Sequence, residues 1–73
     1  MAVVGPDGTP TESGSQILLA IHAGIRLPED IAQHTSLALF VVRSGLRDME
    51  KARLVKRSAD GYELDERGIE LLS

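Results

Sequence analysis

The stretch PEDIAQHTSLALFVVRSGLRDMEK, Pro28 to Lys51, decides the fold. Pro28 suits the first position of a helix, where no N–H is needed, and Glu29 and Asp30 complement the positive end of its dipole. The pattern predicts a short helix over 28–35 that buries Ile31 and Ala32. Thr35 and Ser36 break it, and Ser36 is placed to cap a third helix over 37–52. At about 100° per residue that helix sorts its side chains into two faces. Ala38, Leu39, Val42, Leu46 and Met49 gather on one side with Gly45 beside them. Phe40, Arg43, Ser44, Arg47 and Lys51 gather on the other. A mid-helix glycine costs up to about 1 kcal/mol relative to alanine, so Gly45 is expected where another helix packs closely.

Downstream, LVKRSADGYEL (Leu54–Leu64) holds two short alternating pieces around Asp60–Gly61, a hairpin-turn signal. A hairpin is therefore expected over 54–64. Asp65 can cap a last short helix, Glu66–Leu72, carrying Ile69, Leu71 and Leu72. Upstream, Ser13 and Gln16 have capping-box spacing. Ile17, Leu18, Ile21 and Ile25 then recur at near-helical intervals, and Gly24 ends a first helix over 14–23. Before it, residues 4–14 hold three glycines and two prolines, too many for a helix or central strand. Residues 1–14 are expected to be a flexible leader with a turn at Pro6–Asp7–Gly8, and 15–73 the single domain.

Composition narrows the function. The chain has 73 residues, 42% hydrophobic and 26% charged, the balance of a globular domain too small for a conventional catalytic cleft. No cysteine is present, so disulfides, thiolate metal sites and a cysteine nucleophile are excluded. His22 and His34 fall near helix ends, where a cation favours the dipole, and no metal site or cofactor is expected of them. The acids are scattered, without a paired nucleophile or base, so no catalytic residue and no enzyme is expected. The longest apolar run, Leu37–Val42, is far short of a membrane span, and no targeting segment is evident, so a cytoplasmic location is expected. A net charge of −3 argues against a uniformly basic surface but leaves room for a local basic patch.

The order Ile31–Ala32, Thr35–Ser36–Leu37, Leu46 and Met49, Leu54–Val55–Lys56–Arg57, Asp60–Gly61–Tyr62–Glu63–Leu64 and Glu66–Arg67–Gly68 resembles winged helix-turn-helix domains of bacterial and archaeal (or viral) transcriptional regulators. The resemblance covers roughly residues 15 to 72. It implies an α+β fold: a three-helix bundle, a β-hairpin wing and a short C-terminal helix. Helices 2 and 3 would form the helix-turn-helix, and the "Y-x-L-T-x-x-G" pattern would close the hairpin. Three departures stand out. Ser36 and Arg53 occupy positions where the family often has glycine. The start of the third helix, Ala38–Leu39–Phe40–Val41, is apolar where family members are usually polar.

The resemblance implies a small regulator that binds double-stranded DNA, with helix 3 in the major groove and the wing on phosphates. Arg43 and Arg47, one turn apart, suit guanine because a guanidinium can bond both O6 and N7. Ser44 would add a hydrogen bond, Phe40 would pack on a thymine methyl or a sugar, and Lys51 would lie further out. Lys56 and Arg57 would meet phosphates from the wing. Each also has a simpler reading as part of a solvated face, and Tyr62 is expected to pack the wing on the core. The alternative function is a protein-interaction module without DNA binding. In it, Phe40 and Val41 would contact a second copy or another protein.

Overall fold

A computed structural model describes residues 11–72, so the expected turn at Pro6–Asp7–Gly8 lies outside the described residues. The first helix, α1, spans Glu12–His22. It starts two residues before the expected position because Thr11, not Ser13, is its N-cap. Thr11 is extended (φ −73°, ψ 180°), and its hydroxyl accepts from the Gly14 N–H at 3.4 Å. That leaves Ser13 and Gln16 inside the helix, where the capping-box role is not open to them. At the other end Gly24 takes φ +99°. The Ile25 N–H then reaches the Ala20 carbonyl and the Gly24 N–H reaches the Ile21 carbonyl, a Schellman closure.

Helix α2, Pro28–Thr35, has the expected bounds, with the proline in its first turn. Ser36 does not cap the next helix. It ends α2 in the left-handed region at φ 61°, while Ala38 serves as N-cap of α3 (Leu39–Lys51) with no side-chain hydrogen bond. Thr35 organises this turn. Its hydroxyl donates to the Ile31 carbonyl at 2.7 Å and accepts from the Leu37 N–H at 3.4 Å.

The later start of α3 corrects the expected core. Ala38 precedes the helix and Leu39 is its first residue, so both remain exposed, whereas Val42, Gly45, Leu46 and Met49 are buried. The close of α3 repeats that of α1. Leu54 N–H bonds the Met49 carbonyl and Arg53 N–H bonds the Glu50 carbonyl, with Arg53 at φ 62° in the place Gly24 holds in α1.

Strands β1 (Val55–Ser58) and β2 (Gly61–Leu64) pair antiparallel with Lys56 opposite Glu63 and Arg57 opposite Tyr62. Ala59 and Asp60 form the tip, and Gly61, at φ +121°, is already in the ladder opposite Ser58. On its outer edge β2 is tied to the segment before α2, where Tyr62 N–H donates to the Arg26 carbonyl at 2.9 Å. Helix α4, Glu66–Leu72, follows, and the Asp65 carboxylate accepts from the Glu66 N–H at 2.7 Å. Gly68 of α4 is buried against the Leu54 carbonyl, so close that a Cβ would collide with it.

The fold is thus α+β, four helices and a two-stranded hairpin among the described residues. Its core draws on Ile17, Leu18, Ala20 and Ile21 of α1, Ile31 of α2, the buried face of α3, then Leu54 and Val55, with Tyr62 and Leu64 of β2 packed against it. Leu72 of α4 packs on this core, whereas Ile69 and Leu71 face solvent. Among the described residues no helix is long and apolar enough to cross a membrane.

Candidate functional site

Burial of Val42, Leu46 and Met49 fixes the rotation of α3 and turns the opposite face outward. Phe40, Arg43, Ser44, Arg47 and Lys51 are all exposed, as the periodicity predicts. Phe40 is 75% exposed. Val41, its neighbour in the expected protein contact, is partly buried against the core, and Leu39 adds a second exposed apolar side chain beside Phe40. Asp48 also lies on the outward face and dilutes its positive charge.

Three expected DNA contacts already hold carboxylates. Arg43 pairs with Glu29 of α2 at 3.6 Å, Arg57 with Glu50 of α3 at 3.3 Å, and Lys56 with Glu63 at 3.5 Å. Glu63 is shared, because its other oxygen meets Arg26 at 3.3 Å and so fastens the hairpin to the segment before α2. Arg47 and Lys51 have no ion-pair partner within 4.0 Å among the described residues. All four pairs are at least one-third exposed, the setting in which an ion pair is worth only about 0–1 kcal/mol.

The structure also joins the two sets of cations. Arg43 and Arg47 of α3 and Arg57 of β1 line one open groove of about 340 Å³, with Pro28, Ser58, Gly61 and Tyr62 completing its wall. Tyr62 is Arg57's cross-strand partner, and it, followed by Glu50, raises the Arg57 pKa above its ordinary value. Lys51 and Lys56 lie outside this groove lining, as does Phe40.

Tyr62 therefore does more than pack the hairpin on the core. A two-residue turn at Asp60–Gly61 would have put Tyr62 opposite Ala59; the tip is instead Ala59–Asp60, and that register sets Tyr62 beside Arg57 and Lys56 opposite Glu63. The Arg43–Glu29 and Arg57–Glu50 pairs depend on how helices and hairpin dock, for which local sequence carries no signal. A larger hollow of about 550 Å³ lies along residues 24–34 and reaches Asp60 at the hairpin tip, with Arg26, Asp30 and His34 in its wall. Its acids, Asp30 and Asp60, outnumber its one permanent cation, Arg26, which is also paired with Glu63. Among the described residues no three His, Cys, Asp or Glu side chains come together as a metal site. Compared with known proteins, the chain matches no family model, no curated protein and no solved structure.

Proposed function

We propose that this protein is a small DNA-binding transcriptional regulator built as a winged helix-turn-helix. In this reading α3 enters the major groove, with Arg43, Ser44 and Arg47 toward base edges and Phe40 against a thymine methyl or a sugar. The hairpin acts as the wing, carrying Lys56 and Arg57 to phosphates. One observation supports this most: Arg47 of α3 and Arg57 of β1 line the same groove. Helix and hairpin thus present their cations to one surface, as a ligand with closely spaced phosphates requires. A homodimer on inverted half-sites is the natural assembly for such a module.

A mobility-shift titration on random and selected duplexes over a range of salt tests the reading. Binding should be strongest at low salt, where counterion release contributes most, and should weaken steeply as salt rises. Absence of binding even at low salt rejects it. Phe40, 75% exposed beside Leu39, favours a second reading in which this end of α3 docks on a protein.

A further inference from the structure

The groove between α3 and the hairpin holds more than a set of cations, because two of its three guanidiniums are already balanced from outside it. Glu29 reaches Arg43 and Glu50 reaches Arg57, and neither carboxylate lines the groove. A carboxylate and a phosphodiester offer a guanidinium the same thing, two anionic oxygens in a plane that its fork can meet. They therefore compete for Arg43 and Arg57. Arg47, with no such partner among the described residues, has its charge uncommitted.

We propose that this groove clamps a single backbone phosphate of double-stranded DNA, which replaces Glu29 and Glu50 as the partner of Arg43 and Arg57. The proposal rests on the DNA-binding reading and adds to it a counter-ion exchange built into the fold. It moves Arg43 and Arg47 from base edges to a phosphate, leaving Ser44 and Phe40 toward the bases. Arg47 draws the phosphate in, and the Tyr62 hydroxyl, beside Arg57, supplies a neutral donor. The exchange is feasible because both resident pairs are exposed: side chains of Arg43 and Glu29 are 62% and 60% accessible, and of Arg57 and Glu50 70% and 39%. Water already competes strongly for such pairs, so a phosphate held by three guanidiniums displaces them. The consequence is a threshold. A lone anion must outcompete two tethered carboxylates, whereas a phosphate delivered by a docked duplex does so at high effective concentration. The acids thereby suppress binding to isolated anions while leaving the docked complex intact, which fits an interface that carries cations on a protein of net charge −3.

The test removes the competitors rather than the cations. Glu29→Gln and Glu50→Gln keep shape and hydrogen bonding, and circular dichroism confirms that the variants fold. Each should tighten binding to a fixed selected duplex by about two- to fivefold, the range open to an exposed pair. Glu70→Gln on α4 removes the same charge away from the groove and should change affinity less. Scanning the duplex with uncharged methylphosphonate linkages should then find a position at which the advantage of both groove variants disappears. DNA binding in which the groove variants match Glu70→Gln, or in which no linkage removes their advantage, overturns the clamp and leaves the DNA-binding reading standing. No DNA binding by any variant at low salt overturns that reading itself, a different signature.

Discussion

Gly61 lies against the backbone of Arg26: a Cβ added to it would sit 2.5 Å from the Arg26 carbonyl oxygen. The neighbouring Tyr62 N–H donates to that same oxygen, so hairpin and pre-α2 segment approach as closely as a third strand would. Gly61 is needed twice, for its φ of +121° and for the space.

Gly61→Ala should consequently destabilise the protein by more than about 2 kcal/mol, since the backbone conformation alone costs a side chain roughly 1–2 kcal/mol. Chemical or thermal unfolding measures it. A loss below about 0.5 kcal/mol would show that neither the positive φ nor the Arg26 contact constrains Gly61.

Gly68 makes the complementary case without a special φ. A Cβ on it would run into the Leu54 carbonyl, which also accepts from the Asp65 N–H, so α4 cannot move outward without straining that bond. Gly68→Ala should destabilise by about 1–3 kcal/mol, the cost of overpacking. Amide exchange should rise first in α4, where the contact is lost.

Two substitutions should act in the opposite direction. Ser36 and Arg53 hold φ of 61° and 62°, and they stand where the winged helix-turn-helix pattern often has glycine. Each carries a left-handed penalty of roughly 1–2 kcal/mol, partly offset because glycine gains more freedom when unfolded. Ser36→Gly and Arg53→Gly should each stabilise by about 0.5–1 kcal/mol. For a domain of this size that raises Tm by about 2–8 °C. Unchanged or lower Tm would place compensating side-chain contacts at those positions.

These positions also show where sequence reasoning stops. Helix α2 was legible to the residue because Pro28 and the Thr35–Ser36 break are local signals. The outward face of α3 was legible because periodicity survives errors at its ends. The starts of α1 and α3 were misplaced, since Thr11 and Ser13 are both good caps and only the folded backbone chooses between them. Likewise Ser36 can cap forward or terminate backward, and its left-handed φ decides for termination. Of the site, the cations were legible but their carboxylate partners on docked elements were not, because Glu29 and Arg43 are brought together by helix packing.

Phe40 should contribute nothing to folding, given its exposure. Phe40→Ser is expected to change stability by less than about 0.5 kcal/mol. Its effects on DNA affinity and on oligomeric state, read by mobility shift and by sedimentation, then separate the two functional readings. Lower DNA affinity in an unchanged oligomer places Phe40 in the groove of DNA. Loss of self-association with affinity per monomer retained assigns it to a protein contact.

The ion pairs rank the arginines of α3 against each other. In the DNA-binding reading, removing Arg47, which has no carboxylate partner among the described residues, would lose its full contact with DNA. Removing Arg43 loses a contact whose formation first required separation from Glu29, 3.6 Å away. The net loss is therefore smaller, even though Arg43 lies nearer the start of the helix. Arg47→Ala should cost about 1–3 kcal/mol of DNA affinity, and Arg43→Ala should cost less. Base preference relaxed at one position puts Arg47 on a base edge, and uniform weakening with a flatter salt slope puts it on the clamped phosphate. Lys56→Ala, released from Glu63, should weaken all sequences alike and flatten the salt slope by less than one full charge, because part of that charge is already neutralised within the hairpin. Titrations of the three variants on matched and scrambled duplexes at two salt concentrations measure all of these quantities. Arg43→Ala costing more than Arg47→Ala would show that the Glu29 pair does not compete with DNA, and that the order of the two arginines along the helix governs instead.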